Sequence, residues 1–309
     1  MITRTTKSEI EVEGRTMTLS NLDKIFYPAA GFSKAQVIDY YIRIAPVLLP
    51  HLKNRPLTLK RYPDGVEGFF FYEKQCPSHR PKWMKTVATP RHNTAEHIDY
   101  CVIDSLSALV WVANLADLEL HTFLHCATPQ SCPTVVAFDL DPGPPADVVS
   151  CCRVALWLRE TLADMQLQAL VKTSGSKGLQ VYIPLNVPVS YKQTSEFSHH
   201  VALRMMHEHP ECVIPEMTKS LRKGKVFIDW SQNNSHKTTV CVYSLRAKER
   251  PMVSTPVTWE EVERAWKMKR GLGFDSDEVL KRVEKLGDLF EPVLTLRQKL
   301  PKTNSGGFG

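Results

Sequence analysis

Residues 135–144 read Val-Val-Ala-Phe-Asp-Leu-Asp-Pro-Gly-Pro, an apolar run that closes on two carboxylates one residue apart. Side chains alternate across a strand, so Asp139 and Asp141 share one face while Phe138 and Leu140 take the other. Proline cannot donate to a ladder, so the Pro-Gly-Pro is expected to leave both carboxylates where the strand exits its sheet. Two anions this close resist joint ionisation unless a cation lies between them. The segment reads as a metal-binding edge. Its alternative is a turn cap, with each carboxylate bonded to nearby backbone N–H groups.

Two further segments favour the metal reading. A short apolar run (Ala169, Leu170, Val171) precedes Thr173–Leu185, which opens on a turn, Ser174-Gly175-Ser176-Lys177-Gly178, and continues into the alternating Leu179, Val181 and Ile183. That is a strand–turn–strand whose tip offers backbone N–H groups, hydroxyls and one ammonium, a set suited to phosphate. Gln180 and Tyr182 share the opposite face of the second strand. In Gly224–Trp230, Val226, Ile228 and Trp230 alternate with Phe227 and Asp229. An aspartate in so apolar a strand is costly to bury unless paired or bound to metal. Oxygen-only ligands favour hard ions such as Mg²⁺ or Mn²⁺.

The rest of the chain sets bounds. Its 309 residues can bury a large core, and its net charge of +6 suits a polyanionic partner. No apolar run is long enough to span a bilayer and no signal peptide is recognisable, so a soluble protein of the cytoplasm is expected. Eight cysteines occur without a Cys-x-x-Cys pair, and His121, His125, Cys126 and Cys132 lack a strong zinc spacing. Reduced, mostly buried thiols are expected. Ser33 with Gln36, Thr258 with Glu261, and Asp275 with Glu278 have the spacing of helix capping boxes. A helix through Val148, Cys152, Ala155, Leu158 and Leu162 follows the Asp pair, giving a mixed α/β pattern. A flexible tail is expected over 301–309.

Taken together, these motifs resemble the polymerase domain of bacterial end-joining DNA ligase D, a member of the archaeo-eukaryotic primase superfamily. The resemblance rests on Phe138–Pro144, Ser174–Leu185 and Phe227–Trp230. Leu19–Pro28, Lys60–Gly65 and Tyr243–Lys248 support it, in order along the chain. It implies an α/β (α+β) fold of two interleaved lobes around an RRM-like mixed sheet, forming one catalytic domain over residues 10–300 with the active cleft between the lobes. It also implies template-dependent addition of nucleotides, preferentially ribonucleotides, to a DNA primer 3′ end during non-homologous end joining. Extension is expected rather than de novo priming.

By this resemblance Asp139, Asp141 and Asp229 hold two divalent ions, Mn²⁺ or Mg²⁺, and are catalytic. Lys60, His121, Ser174, Ser176, Lys177, Gln180, Arg246 and Lys248 contact the NTP or dNTP. The family's motif usually carries a histidine where this chain has Gln180, which can donate a hydrogen bond but supplies no charge. Lys248 stands where a second arginine is common, keeping charge but losing the bidentate fork. Lys24 and Lys34, ten residues apart, match lysines that grip the 5′-phosphate at a break, and Lys34 also falls at a helix N-terminus that favours an anion. Phe71 is the expected stacking residue, and Arg222 and Lys223 the DNA-phosphate contacts beside Asp229. Ku and a DNA ligase are the expected partners, and no membrane is involved. No ligase lysine motif or nuclease module is recognisable in the sequence.

Two other readings compete. A haloacid-dehalogenase-type phosphohydrolase also places Asp-x-Asp after an apolar strand, but it wants Thr or Val two positions after the second Asp, where this chain has Gly143. A non-catalytic DNA-end-binding module would leave the aspartate triad without a use.

Overall fold

The structure, a computed structural model, describes residues 7–91 and 96–301. The chain divides into two compact units that each collect separated stretches of sequence. The first takes the chain up to Thr122 with Val240–Val253 and Phe274–Gly287. The second takes Phe123–Thr239, Ser254–Gly273 and the chain from Asp288. Beyond Pro301, the tail expected over 301–309 lies outside the described residues.

In the first unit, Ser33 and Gln36 close the expected capping box on the helix Lys34–Leu52. Its apolar stripe, Val37, Ile38, Tyr41, Ile44, Leu48 and Leu52, is buried, and each such side chain contributes about 1.5–3 kcal/mol. The hydroxyls of the buried Tyr40 and Tyr41 are satisfied: Tyr40 donates to Tyr243 O at 2.8 Å and Tyr41 to Leu118 O at 2.7 Å. The strand Pro56–Arg61 is central to an antiparallel sheet, paired with Asp117–Thr122, His97–Val102 and Phe71–Glu73. Cys101, on His97–Val102, is disulfide-bonded to Cys76, which corrects the expectation of reduced thiols at these positions. Their separation of 25 residues hides a pairing that tertiary contact creates. The Cys76 N–H reaches Asp99 O at 2.6 Å, bringing its loop onto that strand. Of the free cysteines, Cys151, Cys152 and Cys241 are buried and the others are half-buried.

The second unit carries a six-stranded sheet in the order Val213–Ile214, Val226–Asp229, Val135–Pro142, Leu179–Pro184, Leu170–Thr173, Pro256–Val257. Only the first pair is parallel, so the sheet is mixed. The helix Val148–Asp164, capped by Asp147, connects the Asp strand to Leu170–Thr173. Phe138, Leu140, Val181 and Ile228 are fully buried, and Cys151 on this helix contacts Leu140 O. Thr258–Glu261 forms the expected capping box in this unit, and Asp275–Glu278 forms the one in the first unit.

The Asp strand does not end at Asp141. Pairing with Val226–Asp229 runs on through Pro142, whereas the ladder with Leu179–Pro184 stops at Leu140. Backbone N–H direction alternates along a strand. Gly143 N–H donates to Lys225 O at 2.8 Å, so the nitrogen of Pro142 faces the side where pairing has already ceased. Proline is tolerated there for that reason.

Candidate functional site

Antiparallel register sets the carboxylates side by side. Asp139 lies opposite Asp229 on one neighbouring strand and opposite Gln180 on the other, and Asp141 lies opposite Phe227. Directly paired residues share a face, and so do residues two apart, so all three aspartates project from the same side of the sheet. Burial, followed by the Asp141 and Asp229 charges, pushes the Asp139 carboxyl up to about 7, against the opposing effects of Gln180 and Lys172. Among the described residues, Asp139 Oδ1 is buried with no hydrogen-bond partner. Asp229 is engaged differently. Its Oδ1 accepts from the Ser231 N–H at 3.0 Å and the Ser231 hydroxyl at 2.5 Å, and its Oδ2 accepts from the Gln232 amide at 2.8 Å. It thereby caps the 3₁₀ turn Trp230–Gln232. Among the described residues no three His, Cys, Asp or Glu side chains converge as a metal-holding group. Adjacent carboxylates repel, and donors within its own turn relieve Asp229.

The Ser174–Gly178 turn connects Leu170–Thr173 to Leu179–Pro184, as the alternation predicts. Ser176 and Lys177 are exposed at its tip, while Ser174 is buried and its Oγ accepts from the N–H groups of Ser176 and Gly178, both at 3.2 Å. Two of the turn's donors are thus already taken by the turn itself. Gly178 is required by packing: a Cβ there would meet Leu140 O at 1.9 Å. The backbone contact holds the turn beside the Asp strand. Gly178→Ala is expected to cost about 1–3 kcal/mol of stability, read by urea unfolding, because the backbone rather than a flexible side chain must give way.

In the first unit the candidate nucleotide cations gather on a buried carboxylate that sequence reasoning missed. Glu119, 2% exposed, has Lys60 Nζ at 3.2 Å, His121 Nε2 at 3.1 Å and Arg246 Nε at 3.3 Å around Oε2. Its Oε1 accepts from the Tyr62 hydroxyl at 3.3 Å and the Ala247 N–H at 3.1 Å. Burial works to raise the Glu119 carboxyl, but His121, Arg246 and Lys60 outweigh it and hold it far below the carboxylate range. Burial holds His121 below its usual range, so it is neutral at pH 7. The signal was present in Asp117-Leu-Glu-Leu-His121, an acid inside an apolar alternating strand. The Lys60 ammonium lies over Phe70 at 4.6 Å and Tyr62 at 5.3 Å, and Tyr72 meets His121 edge-on. Lys248 follows Arg246 at the turn of the hairpin formed by Leu245–Ala247 and Pro251–Val253.

The candidate DNA contacts are also placed. Lys34 N–H donates to Lys24 O at 2.8 Å, so the two lysines are adjacent through the backbone. Lys24 pairs with Asp64 at 2.7 Å. Lys34 is buried, donating to Ser20 O at 2.7 Å and to Asn114 Oδ1 at 2.9 Å. Burial, with the Lys24 and Arg61 charges, lowers Lys34 to about 8. Phe71 is half-buried, with the Arg61 guanidinium 5.2 Å from its ring, while Phe69, Phe70 and Tyr72 are the more exposed rings. Arg222 lies 3.6 Å over the Phe227 ring and Lys223 is exposed, both just ahead of the strand that ends in Asp229.

Residues 33–290 match the family described as LigD, primase-polymerase domain. The chain is 42% identical over 278 residues to the multifunctional non-homologous end joining protein LigD of Mycolicibacterium smegmatis, covering 89% of this chain and 36% of that protein. It is 31% identical over 296 residues to the bifunctional non-homologous end joining protein LigD of Bacillus subtilis, covering 93% and 47%. It thus spans between a third and a half of the length of these two relatives. The polymerase domain from Mycobacterium tuberculosis ligase D, solved in complex with DNA, superposes with a TM-score of 0.85 at 39% identity, covering 91% of this chain and 99% of that one.

Proposed function

We propose that this chain, which belongs to the LigD primase-polymerase family, extends a DNA primer 3′ end at gaps and double-strand breaks by template-directed nucleotidyl transfer. The observation that carries the reading is the cross-strand row of Asp139 and Asp229 with Asp141 on the same face. Asp139 also keeps a buried oxygen unpartnered among the described residues. An all-oxygen donor set with an orphaned buried oxygen fits a hard divalent cation such as Mn²⁺ or Mg²⁺. Asp139, Asp141 and Asp229 would hold such ions. When bound, the ions stabilise charge on the attacking and leaving oxygens of an in-line transfer.

The chain's own groups do the rest. Ser176 and Lys177 present a hydroxyl and an ammonium to the triphosphate, and Lys60 and Arg246 offer further positive charge. Neutral His121 donates its one N–H to Glu119 Oε2, which fixes the imidazole beside Lys60 and Arg246. Phe70 and Tyr72, the exposed rings beside Lys60, and Phe71 are available to stack on bases. The two units work as one catalytic domain over residues 10–300. Ribonucleotides are its preferred substrates, Ku and a ligase its partners, and the nucleoid within the cytoplasm its location. Among the described residues no helix is long and apolar enough to cross a membrane.

The test is a gapped, 5′-phosphorylated template offered labelled NTP or dNTP with Mn²⁺ or Mg²⁺. Incorporation into the primer, greater with NTP, is expected. Release of free phosphate without incorporation would instead support a phosphohydrolase, and DNA binding without either would support an end-binding module.

Lys24 and Lys34 are assigned to the 5′-phosphate. Because the Lys34 ammonium is lost as pH rises through about 8, the preference for phosphorylated over unphosphorylated ends should be strong at pH 7 and weaken by pH 9. Competition binding with the two DNAs reads this directly; a preference independent of pH removes the Lys34 assignment.

A further inference from the structure

Four strands of the second unit place a polar row across an otherwise apolar sheet. Lys172 pairs with Gln180, Gln180 with Asp139, and Asp139 with Asp229. Paired residues share a face, so ammonium, amide and two carboxylates stand in sequence on one side of the sheet. Lys172 is 1% exposed. Its Nζ donates to Gln180 Oε1 at 2.5 Å and to Ser254 Oγ at 2.6 Å, both neutral acceptors. Burying an ammonium costs several kcal/mol, and an apolar side chain of the same volume packs such a position at least as stably. Stability alone does not account for a lysine here.

The amide of Gln180 has one acceptor atom and one donor atom, and the lysine decides which way it faces. With Oε1 held by Lys172, Nε2 turns the other way, where it donates to Thr239 Oγ1 at 3.1 Å. Gln180 is also paired directly with Asp139 across the strands and favours the charged form of that carboxyl. A flipped amide would set a carbonyl oxygen against that carboxylate and leave the ammonium facing an NH₂ group. Ser254 fixes the lysine from the other side, its hydroxyl donating onward to Thr173 O at 3.0 Å.

We propose that Lys172 is a positioning residue of the polymerase site. Its buried ammonium locks the Gln180 amide with its donors toward Asp139, which holds that carboxylate with Oδ1 free for a cation. The proposal rests on the reading of Asp139 as a metal ligand, but it concerns how the chain orders that residue. Positive charge near Asp139 therefore comes from two strands away, and Gln180 on the strand between passes it on as a fixed dipole.

The test uses Lys172→Met, which keeps length and removes charge, together with Gln180→Met and the double variant. In protein labelled with ¹⁵N-glutamine and free of metal and nucleotide, the Gln180 side-chain amide resonance is assigned by its loss in Gln180→Met. It is expected to be slow to exchange in the wild type, and to shift and exchange faster in Lys172→Met. In primer extension each single variant should lower kcat by about tenfold, with KM for primer DNA within about twofold of wild type. The double variant should be no worse than either single one, since both remove the same link. An unchanged Gln180 resonance, a wild-type kcat or additive losses would overturn the proposal. So would a loss seen only as lowered thermal stability. If Lys172→Met does not fold, Ser254→Ala frees the ammonium from one side, and its effect on the Gln180 resonance decides the matter in the same way. The resonance is read without metal, so a negative result leaves the role of Asp139 standing. Equal Mn²⁺ uptake by wild type and Asp139→Asn, with the Gln180 resonance behaving as expected, would remove that role alone.

Discussion

Asp139→Asn is expected to abolish primer extension, lowering kcat by about 10³-fold or more, while DNA affinity stays within about twofold of wild type. The asparagine is nearly isosteric, so the strand register to Gln180 and Asp229 survives. It cannot carry the charge that a divalent ion requires. Stability should move the other way. In the metal-free wild type, burial and two neighbouring carboxylates push Asp139 up to about 7, so above that pH folding must hold a carboxylate in an unfavourable place. The asparagine removes that cost, and the melting temperature at pH 8 should equal or exceed that of the wild type. The sign follows from linkage: the folded state binds a proton more tightly than the unfolded one, so this group's contribution to stability falls as pH rises from about 4 to about 7. Melting curves across that range, together with single-nucleotide extension, test both halves. A variant that extends normally contradicts the account.

Glu119→Ala should produce the largest loss of stability at a candidate site. Glu119 is 2% exposed and holds Lys60 and Arg246 at 3.2 and 3.3 Å with the neutral His121 beside them. Removing it leaves two cations, 13% and 17% exposed, facing each other without a counter-charge. Breaking a buried ion cluster from one side costs about 3–5 kcal/mol, which urea unfolding measures. The effect is pH-dependent with a fixed sign. The Glu119 carboxyl is held below the ordinary carboxylate range, so its contribution is present above that range and is lost as pH falls toward the folded value. The gap between wild type and variant should be full at pH 7 and should shrink in acid. Activity should fall more than stability explains, appearing as a raised KM for nucleotide, because Lys60 and Arg246 are no longer held in place.

Much of this site was legible in the residues. Asp139, Asp141 and Asp229 are found by period-two alternation, since a strand displays its own faces in its sequence. The Ser174–Gly178 turn and the capping boxes at Ser33, Thr258 and Asp275 are short-range patterns for the same reason. What local pattern does not encode is register. Lys172 meets Gln180, and Gln180 meets Asp139, only because three strands align, so the lysine passed as an ordinary strand residue. Cys76 and Cys101 meet through a loop laid on a strand. Lys34 stands at the helix N-terminus as the capping box predicts, but that its ammonium is covered by the chain around Ser20 and Asn114 is a tertiary fact. The apolar strand singles out Asp229 as a candidate metal ligand, and the donors that hold it in the metal-free chain come from Ser231 and Gln232 just after it. Glu119 is the instructive omission. The alternation argument that found Asp229 applies equally to the strand Asp117–Thr122.

The central claim is that the Asp139 row holds divalent cations for nucleotidyl transfer. Its most direct test is an electron paramagnetic resonance titration of Mn²⁺ into wild-type protein and Asp139→Asn, with a non-hydrolysable NTP and gapped DNA present. The account predicts that the wild type withdraws about two Mn²⁺ per chain from solution, that Asp139→Asn withdraws measurably less, and that binding weakens as pH is lowered below about 7. Equal Mn²⁺ uptake by the two proteins, with no dependence on pH, would contradict it.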